Sequence, residues 1–343
     1  MDVKKTRTRP VPAGRERENV MSNMQKIAVL GAGTMGAGIA AVYALSGYRT
    51  ALYSRTEKTL DKSKATIRAA AGLLMEEELY PKQDLEEVMG RLVFTTSLEE
   101  AVDGAFYVVE TVVEIPEIKR QVYERLDALL PEDVIVSSNT SYMNIFELMP
   151  ERRQKNLAIV HWVAPPHILP LVEVVKGPAT SEETMEAMME LHEACGKTPV
   201  RMEKYIPGFI LNRLQSAMNR EVLGLLQDGY CTPEMMDRAV KTSLMPRGLL
   251  LGVVQRMDFN GIDMVANGLR NKSFAPYGAP PEHNVVTEMA EKGELGIKTG
   301  VGFRDYTKIG AAEAVRQRDL KLIRSVRLAK EFMDDPIGEE RLP

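Results

Sequence analysis

A histidine and a glutamate stand in similar apolar surroundings, His161 in "LAIVHWV" and Glu173 in "LPLVEVV", equidistant in sequence from His167. If the two runs pair as antiparallel strands around "APPHI", this register sets the side chains opposite each other on one face of a sheet. An imidazole beside a carboxylate is a general base whose tautomer is fixed and whose protonated form is stabilised. Both lie among apolar residues, where a lone charge is costly, so each accounts for the other. A buried structural pair would meet the same constraint.

A second group of residues suits phosphate binding. "VLGAGTMGAG" places Gly31, Gly33 and Gly36 in a G-x-G-x-x-G that leaves an apolar run and enters a helical one. The first glycine permits a tight turn, the second lets backbone approach a pyrophosphate, and the third packs helix on strand. The helix then starts at Thr34 and Met35, with its N–H groups aimed at anionic oxygens. At the end of the next apolar run, "TALYSRTEK", an NAD site would present an acid to the ribose hydroxyl. This chain has Ser54 and Arg55, a hydroxyl and a guanidinium suited to a 2′-phosphate. NADP(H) is therefore favoured and NAD(H) remains possible.

Two further stretches carry hydrogen-bonding groups. "SSNTS" follows the strand-like "DVIV", so Ser138, Asn139, Thr140 and Ser141 can line a crevice, contact a cofactor or bond within their loop. In "IPGFILNR", Pro207 pre-sets a helix start and Asn212 falls about one turn in, facing a crevice or lying on an ordinary surface. No His, Cys, Asp or Glu spacing calls for a metal.

The elements that must hold these groups follow from periodicity. From Lys26, short apolar runs ("KIAVL", "TALYS", "RLVFT", "AFYVVE", "DVIVS") alternate with amphipathic stretches over 57–78 and near 117–130. This is a βαβαβ rhythm, and runs without alternation suit parallel strands covered on both faces. "LAIVHWV", "LVEVV", a helix near 181–195 and "KTPVRM" extend the same sheet. The expected fold is α/β: a Rossmann-like, doubly wound, mostly parallel sheet over 25–204, then an all-helical domain over 205–310. A helical tail over 311–343 carries Val315, Leu322, Ile323, Val326 and Met333 on one stripe. Residues 1–24 are charged, have no apolar core, and are expected to be a disordered extension.

Composition narrows the partners. The net charge is −4 with both signs interspersed, which gives no field for nucleic acid or an anionic membrane. No apolar run reaches the roughly 18 residues of a membrane span. Two distant cysteines, Cys195 and Cys231, fit reduced thiols in a cytoplasmic enzyme acting on a small molecule.

Together, "GAGTMGAGIA", "VVETVVEIPEIKRQVYERLD", "SSNTS", "VHWVAPPHILPLVEVV", "PGFILNR" and "GIKTGVGF" resemble the 3-hydroxyacyl-CoA dehydrogenase family, in order from about residue 26 to 306. The resemblance implies a homodimer and hydride transfer between nicotinamide and C3 of a 3-hydroxyacyl substrate. It makes His161 the catalytic base and Glu173 its partner. Ser141 would hydrogen-bond the reacting oxygen and Asn212 would help to hold it. Glu110 and Lys119 align with cofactor-side positions, and Ser63 with one near bound CoA.

Two departures bear on specificity. Ala164-Pro165-Pro166 stands where the family commonly has Asn-Pro, removing an amide near the substrate, and Ser54-Arg55 replaces the usual acid. Lys62, Lys64 and Arg68 could meet CoA phosphates or form a solvated face. The first expectation is thus an NADP(H)-dependent oxidoreductase of 3-hydroxyacyl-CoA or 3-oxoacyl-CoA. The second is a dehydrogenase of free 3-hydroxy acids, akin to the L-gulonate and carnitine dehydrogenases. The third is a non-catalytic, crystallin-like cofactor binder.

Overall fold

In the computed structural model, residues 25–271, 275–334 and 337 are described, so the expected extension 1–24 lies outside the described residues. The chain divides into two compact units at Pro207/Gly208.

The first unit is built on one eight-stranded sheet: β1 (Lys26–Leu30), β2 (Arg49–Tyr53), β3 (Leu92–Thr95), β4 (Ala105–Glu110), β5 (Ile135–Ser138), β6 (Leu157–Trp162), β7 (Leu171–Lys176) and β8 (Thr198–Met202). Their order is β3-β2-β1-β4-β5-β6-β7-β8. All pairs are parallel except β6 with β7. The direction of progression reverses between β1 and β4, and open α/β sheets bind ligands beyond the strand carboxyl ends at such a point. The strands read as continuous apolar runs because both faces are covered, and Ala28, Val29, Leu52, Val108, Ile159 and Val174 are fully buried.

Helices α1 (Thr34–Leu45), α2 (Glu57–Glu76), α3 (Leu85–Gly90), α4 (Leu98–Val102), α5 (Pro116–Leu129) and α6 (Glu182–Ala194) complete this unit. The three longer amphipathic stretches expected from the sequence correspond to α2, α5 and α6. The short α3 and α4 have too few turns for a period to show. Their caps do show: Asp84 accepts from Glu86 N and Glu87 N, and Ser97 from Glu100 N.

The second unit contains α7 (Leu211–Gln227), α8 (Pro233–Ala239), a π-helical turn (Val240–Leu244), α9 (Met245–Leu251), α10 (Gln255–Asn260), α11 (Ile262–Asn271), α12 (Val285–Glu291) and α13 (Ala311–Asp334). Among its described residues the only strand-like pairings are isolated bridges, Gly296 with Val301 and Val301 with Asp305. The helix expected to start at Pro207 starts at Leu211 instead. A turn precedes it, with Gly208 at φ 81° and Phe209 at φ 50°, left-handed values that end any helical path. The tail is helical and contacts α9, with Ile323 buried and Val315, Leu322 and Val326 half-buried, but Met333 is exposed. Its stripe therefore docks only along its middle.

Candidate active site

The carboxyl edge of the sheet gathers most of the candidate residues of the first unit. Leu30 of β1 lies beside Glu110 of β4, Glu110 beside Ser138 of β5, and Ser138 beside Ile159 of β6. The loops leaving β1, β4 and β5 therefore emerge side by side. His161, two residues beyond Ile159, stands at the same edge, three strand spacings or about 14 Å across the sheet from the glycine loop.

β6 and β7 pair in the register expected from spacing, with His161 opposite Glu173. His161 Nδ1 lies 2.8 Å from Glu173 Oε2, and both side chains are buried. The carboxylate orients the ring with Nδ1 toward itself, leaving Nε2 directed away from Glu173. That is the arrangement of an oriented acid/base.

Each glycine of the turn can be tested on sterics. A Cβ on Gly31, which sits at φ 116°, would lie 2.7 Å from Thr111 O, and one on Gly36 would lie 1.8 Å from Gly31 O. Folding alone requires both. A Cβ on Gly33 would meet nothing within 4 Å, and its φ of −75° suits any residue. The protein's own packing does not explain Gly33; close approach of a ligand's phosphates does. Gly33 and Thr34 are exposed and Met35 half-buried at the amino end of α1, so this cradle fits a dinucleotide. Thr111, absent from the sequence reading, donates from Oγ1 to Gly31 O at 2.8 Å and ties the turn to β4.

At the end of β2, Ser54 is buried and its Oγ accepts from Thr56 N at 3.4 Å, whereas Arg55 is exposed. Ser63, expected near a bound CoA, makes its hydrogen bonds within the protein. It is buried on α2, with Oγ 2.6 Å from Ala32 O and 2.8 Å from Thr59 O. Its hydroxyl braces the glycine loop from beneath. Of the basic residues considered for CoA phosphates, Arg68 forms a two-point pair with Glu86, and Lys64 Nζ lies 5.7 Å from the Phe94 ring centroid.

Glu110 and Lys119, expected at cofactor-side positions, bond to each other. Both are fully buried, with Lys119 Nζ donating to both Glu110 oxygens at 2.8 Å. Tyr123 and Ser138 hydroxyls donate to Glu110 Oε2 at 2.7 Å, and Val112 N to Oε1. This satisfied ion pair ties β4, α5 and β5 together at the carboxyl end of the sheet. Burial pushes the Tyr123 hydroxyl, which also faces the Glu110 charge, well above its ordinary pKa.

The small polar residues after β5 are likewise engaged. Asn139 Oδ1 accepts from Trp162 N at 2.8 Å, pinning this loop to the strand of His161. Thr140 Oγ1 accepts from Met143 N at 2.9 Å. Ser141, half-buried, has its backbone N 2.6 Å from Glu114 Oε1. Glu114, which the sequence reading missed, is a second acid four residues after Glu110, in the loop before α5. Asn212 is half-buried in the first turn of α7, in the second unit. Among the described residues, no group of three or more His, Cys, Asp or Glu could hold a metal ion, and no helix is long and apolar enough to cross a membrane.

Comparison with known proteins matches this division of the chain. Residues 26–205 match the family model described as 3-hydroxyacyl-CoA dehydrogenase, NAD binding domain, and residues 208–306 match the 3-hydroxyacyl-CoA dehydrogenase, C-terminal domain. The chain is 33% identical to a 3-hydroxybutyryl-CoA dehydrogenase of Clostridioides difficile over 288 residues, 82% of this chain and 100% of the relative. It is 31% identical to a 5-formyl-3-hydroxy-2-methylpyridine 4-carboxylate 5-dehydrogenase of Mesorhizobium japonicum over 313 residues, 88% of this chain and 98% of the relative. A solved structure of a dehydrogenase of that pyridine acid, described as an NAD+-dependent dismutase, superposes with a TM-score of 0.80 at 29% identity, covering 90% of this chain and 99% of that one. With both family models matched in sequence and a Rossmann-type sheet preceding a helical unit, the chain belongs to the 3-hydroxyacyl-CoA dehydrogenase family and is a nicotinamide-dependent oxidoreductase.

Proposed function

We propose that this dehydrogenase interconverts a 3-hydroxyacyl-CoA and its 3-oxo form, with His161 as acid/base and Glu173 as its partner. The observation that carries this reading is the 2.8 Å His161–Glu173 contact on the sheet edge that also bears the glycine turn. In the oxidative direction His161 Nε2 takes the proton of the C3 hydroxyl, and Glu173 stabilises the imidazolium. Ser141 and Asn212 are assigned to the reacting oxygen by their match to the family motifs. The glycine turn holds the dinucleotide, with Gly33 giving its phosphates room and the N–H groups at Thr34 and Met35 facing them. When bound, the nicotinamide supplies the hydride acceptor or donor.

We assign NADP(H) as the preferred form because Arg55, exposed at the end of β2, offers a guanidinium where an NAD site would offer an acid. A homodimer is proposed because Val254, Phe259, Met264 and Leu269 leave large apolar side chains exposed between α9 and α11, and such clusters are covered by partners more often than by water. Two unpaired cysteines, one buried, accord with a reducing cytoplasmic setting.

A second reading, a free hydroxy acid without CoA, is favoured by two observations. Arg68 and Lys64 are engaged within the first unit, and the pyridine-carboxylate relative covers more of this chain than the acyl-CoA relative does. Turnover of acetoacetyl-CoA and free acetoacetate, each with NADPH and NADH, tests the substrate and cofactor assignments. The first reading expects the thioester and NADPH to be preferred. Faster turnover of the free acid transfers the assignment to the second reading, and a preference for NADH above about tenfold, some 1.4 kcal/mol, overturns the Arg55 argument.

A further inference from the structure

Lys197 is a buried cation that the proposed chemistry does not use. It lies between α6 and β8, its backbone N–H donating to His192 O at 2.9 Å as the helix ends. Among the described residues no carboxylate pairs with its ammonium. Nζ instead donates to Pro166 O at 2.7 Å and to Leu169 O at 3.1 Å, and lies 5.1 Å from the Trp162 ring centroid. Both carbonyls belong to the turn joining the strands of His161 and Glu173, and Trp162 is the neighbour of His161.

The same turn also packs against α1. A Cβ on Gly38 of α1 would lie 2.6 Å from Pro166 Cγ and 3.2 Å from His167 Nδ1, so the turn rests directly on this helix. Within it, Ile168 N and Leu169 N both donate to Pro165 O, at 3.1 Å. A charge buried without a counter-charge is costly, and a methionine or leucine would fill the same space without that cost. The ordinary functions of a lysine, solvation or a surface ion pair, are unavailable here. The remaining explanation is the two carbonyls it binds.

The geometry points to Lys197 as a positioning residue that clamps the 164–169 turn against α1 and thereby fixes the His161–Glu173 pair in register. Burial lowers its pKa to about 7, yet charged or neutral it retains protons for both carbonyls, so the clamp persists across the working range. The inference rests on the proposed acid/base role of the pair, and the test separates the two.

Lys197→Met keeps the length of the side chain and removes the donors; Lys197→Arg restores donors. In the full chain, with acetoacetyl-CoA and NADPH as probes, Lys197→Met is expected to lower kcat at least tenfold while the NADPH dissociation constant changes less than twofold, and Lys197→Arg to recover part of the loss. Placing Lys197→Met in a Glu173→Gln background should add little further loss, since both act through one pair. Hydrogen exchange at Ile168, Leu169 and Trp162 provides a readout independent of turnover: it should quicken at least tenfold in Lys197→Met without a lower thermal midpoint. Unchanged exchange overturns the clamp whether or not the probe is turned over. Full additivity with Glu173→Gln, or a fall in kcat below twofold, overturns its link to the pair. A wild-type chain that reduces no 3-oxo probe rejects the proposed substrate, and the exchange comparison still decides on Lys197.

Discussion

At the scale of the residue, chemistry is concentrated in a few side chains whose environments differ sharply. His161 is buried against one carboxylate, and replacing it by alanine removes the proposed base without touching the glycine cradle. His161→Ala is expected to lower kcat by roughly 10²- to 10⁴-fold and leave cofactor affinity within about twofold, measured by steady-state turnover and fluorescence titration. His192 has the opposite character. Fully buried, its Nδ1 donates to Met188 O at 2.6 Å and its Nε2 accepts from Tyr43 Oη at 3.1 Å. Burial, with Lys197 adding to the effect, lowers its pKa to about 4. Between pH 4 and the ordinary value near 6.5 the unfolded chain binds the extra proton and the folded chain does not. Stability should therefore rise with pH across this window, by about 3 kcal/mol from this group, and fall as pH is lowered through it. Denaturant midpoints from pH 4 to 7 check this, and His192→Phe should flatten that slope.

At the scale of the element, the strand-to-helix turn separates what folding needs from what binding needs. Gly36→Ala drives a methyl into Gly31 O and should lower the thermal midpoint by several degrees. Gly33→Ala meets no protein atom within 4 Å and should leave that midpoint unchanged while weakening dinucleotide binding at least tenfold. Equal cofactor affinity in Gly33→Ala and the wild type would remove the ligand-approach explanation of this glycine. The β6–β7 hairpin shows how an element specifies a site: since side chains alternate, slipping the register by one residue would send His161 and Glu173 to opposite faces. The pairing of Trp162 N with Asn139 Oδ1 and the contacts of Lys197 with the turn oppose such a slip.

At the scale of the whole molecule, the two units differ in how they bury apolar surface. The first covers both faces of its sheet, whereas α7 to α12 contain no buried residue. Helices of this kind complete their cores against another surface. Light scattering coupled to size exclusion is expected to give twice the monomer mass of 38.3 kDa. Val254→Glu together with Phe259→Glu should shift the protein toward monomer, and a monomeric wild type at micromolar concentration would reject the dimer.

The sequence by itself determined the alternation of strands and longer helices in the first unit, the glycine turn and the pairing of His161 with Glu173, because these depend on local periodicity and on a register that spacing alone defines. The start of α7 was less legible, since the left-handed turn at Gly208 and Phe209 leaves no periodic trace. Only the tertiary structure decided which polar residues at the sheet edge face outward and which are consumed within. Glu110, Lys119, Ser63 and Asn139 have the residue types of ligand contacts, yet their bonds are to Ser138, Tyr123, Ala32 and Trp162, partners distant in sequence. Burial and long-range hydrogen bonding are properties of the packed sheet, so no local pattern could reveal these partners, or give Lys197 its place beneath the turn.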